Sequence, residues 1–425
     1  MQSLINNREE MVMKFKRTDL CVFVAGAMLA MSGTAAASGF ALIEQSGSGL
    51  GNAYAGGAAS AEDASTIFFN PAGMANIKGR QLVVAAHAIK PSAKFSNNGS
   101  SAALGTDNGG DAGSLALVPN FYYVADINPQ WKYGVGMNSP FGLKTEYSST
   151  WIGRNLAIKS DIQTLNINPS VSYKMNDRVS LGVGINAQYA KAELTKSGGA
   201  LGEVKVTGND WAYGGNIGVL VQANNDIRVG VAYRSSIKHT LKGDVTFSAA
   251  SVYNGTGSAD LEVPGSFSIS FVDVINPQWE VMGDVTWTKW SSFKNLDVTR
   301  TGGATFPSEP TPLSHTAENW SDTYRYSLGA THRYNDVWKA RIGLAFDQAP
   351  VSDQDRTPRI PDNDRTWLAL GGQYKVSAVG MLDFGYAHLF VKDSTLNQPV
   401  LPGVDVVGNY KSEVDILSVQ YTYSF

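Results

Sequence analysis

Segments of about ten residues in which apolar and small polar side chains alternate with a strict period of two recur along most of this chain. Val179, Leu181, Val183, Ile185, Ala187 and Tyr189 interleave with Ser180, Gly182, Gly184, Asn186 and Gln188. Leu165, Ile167, Val171 and Tyr173 interleave with Asn166, Asn168, Ser170 and Ser172, and Phe267, Ile269 and Phe271 with Ser266, Ser268 and Ser270. Successive side chains of a strand point to opposite faces, so each segment has one apolar face and one polar face. The outer face of a soluble sandwich carries Lys, Glu and Arg. Here the polar face is Ser, Gly, Asn, Gln and Thr, which suits the packed or wet lumen of a closed barrel with lipid on its other side. Charged residues make up only 17% of the 425, against 44 Gly, 18 Tyr, 17 Phe and 9 Trp. That is the composition of one large β structure rather than of several domains.

Short turns at Asn128-Pro129, Asn176-Asp177, Asn224-Asn225-Asp226, Asn276-Pro277, Asn335-Asp336 and around residues 378–380 are spaced widely enough for two strands and a longer loop between successive turns. The intervening polar stretches, as at residues 96–113, 302–319 and 347–364, are longer. Short turns on one side and long loops on the other form the outer-membrane pattern. Six turns join twelve strands, and one more strand at each end, near residues 81–95 and 406–425, makes fourteen. The fold predicted is all-β: a fourteen-stranded antiparallel transmembrane β-barrel over residues 80–425, with both ends on the periplasmic side. The chain closes on Leu417, Val419, Tyr421, Tyr423 and Phe425 alternating with Ser418, Gln420, Thr422 and Ser424. This terminal aromatic strand resembles the signal by which bacterial outer-membrane barrels are recognised for assembly, so barrel assembly machinery acting through Phe425 and outer-membrane lipid are expected partners.

Residues 1–37 read as an export signal: Lys14, Lys16 and Arg17 precede an apolar run from Cys21 to Met31, and Ala35-Ala36-Ala37 fits a cleavage site. The single cysteine, Cys21, falls inside it, so no disulfide or thiol chemistry is expected. Residues 38–79 follow as a segment rich in Gly, Ala and Ser that builds no core of its own. It nevertheless carries Phe40, Leu42, Ile67, Phe68 and Phe69 and the rigid Asn70-Pro71-Ala72-Gly73. We read it as a plug, or hatch, enclosed by the barrel. The net charge of −3 offers no broad cationic field for nucleic acid. The five histidines show no metal-ligand spacing, and Gly47, Gly49 and Gly51 lack the strand and the Gly-Lys-Ser/Thr of a phosphate loop. No metal, cofactor or enzymatic activity is expected.

Several motifs carry a family resemblance. Ser38-Gly39-Phe40, Ser48-Gly49-Leu50-Gly51 with Ala53-Tyr54, and Asn70-Pro71-Ala72 lie in the plug. Pro140-Phe141-Gly142-Leu143, Trp290-Ser291-Ser292-Phe293, Tyr324-Arg325, Phe346-Asp347 and Ile360-Pro361-Asp362 with Asp364-Arg365 lie in the barrel. In these the chain resembles the FadL-type family of outer-membrane transporters for long-chain fatty acids over nearly all of residues 38–425. The resemblance implies passive uptake of a hydrophobic molecule from outside, a shift of the hatch, and sideways exit into the membrane where the third strand kinks inward, near Pro140 and Gly142. Proline lacks a ladder donor and glycine weakens a strand interior, so a break in pairing there has its own physical reason. Shortened loops near residues 197–204 and 249–259 suggest a smaller outer capture groove, and uptake of monoaromatic hydrocarbons is the alternative.

For ligand binding we name Phe40, Leu42, Phe141 and Lys196. The resemblance implies the aromatic position of Phe40 in the pocket and a basic residue at Lys196 near the fatty acid carboxylate. A second basic position of the family falls near Asp297 here. Asn70, Pro71, Ala72, Pro140 and Gly142 are the gating residues, the first three expected to hold the hatch against the kinked strand. By alternation Arg228 and Arg234 point into the lumen, and Glu62 and Asp63 of the plug are their expected partners in a latch. Two further classes compete. A lipid hydrolase needs a nucleophile beside a histidine, which only folding across strands could supply. A water-filled porin does not explain the apolar residues of the plug.

Overall fold

The computed structural model describes residues 39–307 and 309–425. The expected export signal, residues 1–37, lies outside the described residues. Fourteen antiparallel strands close into a barrel. They are β1 (Gln81–Asn97), β2 (Ala116–Asp126), β3 (Trp131–Asn138, resumed at Gly142–Glu146), β4 (Lys159–Lys174), β5 (Val179–Ser197), β6 (Glu203–Gln222) and β7 (Ile227–Arg234, resumed at Ile237–Phe247). There follow β8 (Gly255–Val263, resumed at Ser266–Asn276), β9 (Trp279–Thr288, resumed at Asn295–Gly303), β10 (Ser314–Ala317, resumed at Thr323–Arg333), β11 (Trp338–Asp347), β12 (Arg365–Lys375), β13 (Gly380–Val391, resumed at Ser394–Leu401) and β14 (Val404–Ser424). Each strand pairs with the next, and β14 pairs with β1 from Gln81↔Ser424 to Asn97↔Gly408, which closes the barrel.

All six predicted turns join strands where expected, as at residues 127–130, 175–178 and 223–226. Of the two loops near residues 197–204 and 249–259, the first joins Ser197 of β5 to Glu203 of β6 and the second joins Phe247 of β7 to Gly255 of β8. The alternation decides which face is wet. Val183, Ile185, Ile217, Ile269, Leu328 and Leu370 stand exposed on the outside, while Asn166, Asn168, Asn186, Gln188 and Asn216 are buried inside. Trp131, Tyr133, Trp279, Trp338, Tyr421 and Phe425 form an exposed aromatic ring toward the short turns. A 16-residue strand such as β4 exceeds the ~9–11 residues that cross a bilayer, so the barrel projects beyond the apolar belt.

Residues 39–77 lie within the barrel as short helical turns, α1 (Gly47–Leu50), α2 (Gly57–Ser60) and α3 (Thr66–Phe69), followed by a 3₁₀ turn at Pro71–Asn76. Their seats on the wall are glycines. A methyl group at Gly182 of β5 would stand 2.2 Å from the Ala72 amide nitrogen; at Gly230 of β7, 1.9 Å from the Ala58 carbonyl oxygen; at Gly343 of β11, 2.1 Å from the Asn52 carbonyl carbon. The plug backbone therefore touches the wall backbone on several sides, which only side-chain-free positions permit.

Candidate functional site

The third strand breaks where the sequence suggested. β2 pairs with β3 only over Phe121–Asp126 and Lys132–Met137. Above that, residues 116–120 of β2 pair with no strand but β1, and residues 142–146 of β3 pair with no strand but β4. The interval is an unzipped seam in the wall. Ala112, bonded to both Ala93 and Glu146, bounds it on the loop side.

The start of the described chain fills this seam from within. Ala41 pairs with Phe141 as an isolated bridge. The Leu42 amide donates to Pro140 O and the Gly142 amide to Phe40 O, each at 2.8 Å. Gln45 Nε2 donates to Ser139 O at 2.9 Å, Asn120 Nδ2 to Glu44 O at 2.8 Å, and Tyr122 OH to Gln45 O at 2.9 Å. Phe40, Ala41, Leu42, Glu44 and Gln45 of the plug thus bond to the two strands on either side of the interval that β2 and β3 leave unpaired.

Phe40 is fully buried and stands at the centre of a ring cluster, with centroids 5.9 Å from Phe141, 4.8 Å from Trp290, 5.5 Å from Phe293 and 5.8 Å from Trp320. Trp290 and Phe293 enter because β9 is interrupted at residues 289–294, and Trp320 because β10 is interrupted at residues 318–322. Gly39, at φ +59°, has Trp320 and Trp290 against it, so no side chain would fit there. Leu42 is buried in a neighbouring cluster with Leu50, Tyr54 and Trp367.

Two cavities flank this cluster. On the long-loop side lies an apolar one of about 640 Å³ counted to its mouth, with Leu143, Ile162, Leu194, Leu241, Leu261 and Phe293 in its wall. Its charged lining is Glu318 and Arg359. On the plug side lies a space of about 1080 Å³ counted likewise, reaching Leu42, Phe68, Phe69, Pro140 and Phe141. Phe141 and Trp290 border that space and belong to the Phe40 cluster, so the rings separate the two cavities. Lys196 stands outside the lining of either cavity. Its Nζ lies 3.2 Å from Ser314 Oγ, and it is within electrostatic range of Arg359.

The Asn-Pro-Ala motif is a clamp. Asn70 is fully buried; its Nδ2 donates to Ala58 O and Val219 O at 2.7 and 3.0 Å, and its Oδ1 accepts from the Ala72 amide at 3.0 Å. Ser180 Oγ donates to Ala72 O, and Pro71 and Ala72 lie against Gly182. The motif therefore fastens the plug to β5 and β6, which corrects the expectation that it rests on the kinked β3. Motif and kink occupy separate stretches of the plug, with residues 41–45 serving the kink.

The latch pairs also differ from expectation. Arg228 donates to the Ala59 and Ser60 carbonyls. Arg234 donates to Phe68 O at 2.9 Å and to Asn186 Oδ1 at 2.5 Å, and its guanidinium lies 4.3 Å from the Phe68 ring centroid. Glu62 pairs instead with Lys339 and Arg341, each at 2.8 Å, and Arg341 also holds Asp383 at 2.6 Å. Asp63 accepts from Ser48 Oγ at 2.6 Å and Gln420 Nε2 at 2.8 Å. All four residues fasten plug to wall, but the arginines of β7 meet plug carbonyls, whereas the plug carboxylates meet β11 and β14. Plug carbonyls left over by turns too short to satisfy them are natural acceptors. Sequence reasoning had only charges to match.

Folding across strands does bring a histidine to a serine: His87 Nδ1 lies 2.5 Å from Ser418 Oγ, and Nε2 lies 3.0 Å from Asn120 Nδ2. His87 is fully buried between plug and wall, and neither cavity includes it among its lining residues. The pair ties β1 to β14.

Comparison with known proteins bears on this geometry. Residues 28–425 match a family model described as outer membrane protein transport protein (OMPP1/FadL/TodX). The long-chain fatty acid transport protein of Escherichia coli strain K12 is 31% identical over 432 residues, spanning 90% of this chain and 94% of its own. Outer membrane protein P1 of Haemophilus influenzae strain Rd is 30% identical, spanning 95% of this chain and 98% of its own. Among solved structures, a Pseudomonas aeruginosa FadL homologue superposes with a TM-score of 0.83 at 24% identity, covering 91% of this chain and all of its own. The Pseudomonas putida toluene transporter TodX does so with a TM-score of 0.66 at 14% identity, covering 93% of this chain and all of its own. At these identities the two structures speak for the fold.

Proposed function

Since the chain belongs to the outer-membrane transport family of OMPP1, FadL and TodX, a family of transport channels located in the Gram-negative outer membrane, we propose that it takes up long-chain fatty acids or similar hydrophobic molecules passively. The ligand enters the apolar cavity on the extracellular, long-loop side. Its binding displaces Phe40 and residues 41–45, and it leaves sideways through the seam between β2 and β3. Residues 38–79 are the moving hatch, residues 80–425 the barrel, and residues 1–37 the export signal. The sideways route suits a molecule that prefers lipid to water, because it never crosses the polar lumen below the plug. Outer-membrane lipid receives the ligand, and Phe425 presents the terminal strand to the assembly machinery.

One observation carries this reading: the segment that closes the seam also holds Phe40 between the two cavities. A ligand that moves Phe40 must strain the bonds of residues 41–45 to β3, so entry and exit are mechanically joined. Relatives named for fatty acid transport support the ligand class, and those named for toluene transport mark the alternative of a monoaromatic hydrocarbon.

A crosslink tests it. Ala41 and Phe141 are the non-hydrogen-bonded members of an antiparallel bridge, a pairing with Cα atoms about 4.5 Å apart, within disulfide reach. The Ala41→Cys, Phe141→Cys double variant should lose uptake of radiolabelled oleate when oxidised and regain it on reduction. Equal uptake by the oxidised and reduced forms would sink the mechanism.

A further inference from the structure

The extracellular cavity contains a charge arrangement that the uptake reading leaves unused. Arg359, in the loop between β11 and β12, is 7% exposed and reaches the cavity wall. Its guanidinium donates to Ser160 Oγ at 3.0 Å and to the carbonyls of Leu156 and Lys159 at 3.0 and 3.3 Å. Every one of these acceptors is neutral, and among the described residues Arg359 enters no ion pair. The neighbouring loop arginines differ: Arg356 pairs with Asp353, and Arg365 with Asp362. A guanidinium buried in apolar surroundings without a counter-ion is costly, and a planar carboxylate is its best complement.

Glu318 lies on the same cavity wall and is 1% exposed. Its Oε2 accepts from Trp320 Nε1 at 3.1 Å, whereas its Oε1 is buried without a partner. It is within electrostatic range of Arg359 yet forms no ion pair with it. A buried cation lacking an anion and a buried carboxyl oxygen lacking a partner thus share one apolar cavity. A carboxylic acid standing between them satisfies both: its carboxylate accepts from Arg359 and from a protonated Glu318. Lys196, outside the lining but within electrostatic range of Arg359, adds positive charge nearby.

We propose that Arg359, with Glu318 as hydrogen-bond donor, receives the anionic head group of the ligand, so that the cavity selects a long-chain carboxylate over a neutral hydrocarbon. This rests on the uptake reading and sharpens its ligand class.

The pH dependence follows from the groups around Glu318. Burial pushes its carboxyl up to about 8, opposed by Arg359 and by the Trp320 N–H and reinforced by Asp355. Burial also pushes the Arg359 guanidinium down to about 10, with Glu318 and Tyr147 opposing, so it remains charged at neutral pH. Arg359 lies in the loop between β11 and β12 and Glu318 in the interruption of β10, both on the extracellular side of the exposed Tyr324 and Tyr326 and so outside the membrane-spanning stretches. Below about pH 8 Glu318 is a donor. Above it, Glu318 ionises, neutralises Arg359 and repels the ligand, so carboxylate affinity falls.

The experiment uses the purified full-length barrel in detergent, loaded with a fluorescent long-chain fatty acid and challenged separately with oleate, oleyl alcohol and toluene. Wild type should bind oleate at least about tenfold more tightly than the alcohol, the worth of one hydrogen bond to a charged group. Arg359→Met should remove that preference and leave alcohol binding unchanged, whereas Arg359→Lys should keep part of it. If Arg359→Met does not reach the heat-modifiable folded form, Glu318→Gln decides: it should bind oleate at neutral pH without the decline at high pH. Wild-type preference in folded Arg359→Met, or an undiminished pH decline in Glu318→Gln, overturns the proposal. A wild type that binds oleate and oleyl alcohol alike overturns it too, while the uptake reading stands. Failure of all three ligands to bind overturns both.

Discussion

Phe40 shows how one side chain serves two tasks. Its ring lies within 6 Å of four other aromatic centroids and is fully buried, while its carbonyl accepts from Gly142 across the seam. Phe40→Ala removes the ring and leaves the carbonyl. Truncating a buried Phe costs ~3–5 kcal/mol, and here that cost falls on the seating of the plug's first residues. Hydrogen exchange in detergent should therefore show the Leu42 and Gly142 amides losing protection by several orders of magnitude, while the β5–β6 ladder is unchanged. Retained protection at Leu42 would mean that the ring does not hold the segment in place. Phe40 and Asn70 were legible as residue types, because a flexible small-residue stretch has no other use for such rigid or bulky side chains. Arg359 was not: its loop sets three arginines among four aspartates, and only the packing shows that two of the arginines pair with carboxylates while the third faces a cavity.

At the scale of elements, the barrel holds its plug by apposed backbones. The α2 turn sits on β7 at Gly230, the 3₁₀ turn on β5 at Gly182, and the residues after α1 on β11 at Gly343. Gly230→Val places a branched side chain where the Ala58 carbonyl oxygen stands, and the plug must yield because the β7 ladders to β6 and β8 are continuous there. The variant should still fold as a heat-modifiable barrel. In planar bilayers it should conduct ions in discrete steps that the wild type lacks. A variant as closed as the wild type would show that α2 accommodates the valine locally. The strands themselves were readable from period two and turn residues. Their interruptions were readable at Pro140, and Pro264 marks that of β8 in the same way, whereas the breaks in β9 and β10 that bring Trp290, Phe293 and Trp320 to Phe40 carry no residue that cannot pair.

At the scale of the whole molecule, the chain closes on itself through its ends. β14 pairs with β1 along the whole length of β1, and the Phe425 amide bonds to Arg80 O. The Phe425 side chain is 60% exposed, with Arg80 5.4 Å from its ring centroid. A large ring exposed in this way adds little to the folded barrel, and the role we propose for it in assembly is open to test. Deleting Phe425 should lower the amount of protein reaching the outer membrane several-fold, while refolded protein keeps wild-type stability in detergent. Equal losses in both would assign Phe425 to stability instead.

What the sequence determined alone is what depends on local pattern. Period-two alternation sets strands and their faces, turn residues set their number, and composition sets which face meets lipid, because these follow from side chains a few positions apart. What only the tertiary structure decided is which groups meet. Arg359 reaches Ser160 across 199 residues, Arg341 reaches Glu62 across 279, and the seam exists because two strand segments share no partner. Such meetings depend on the register and tilt of a closed barrel. No local preference encodes them: a charge in the sequence states that a partner is needed, and the closed wall determines which one is within reach.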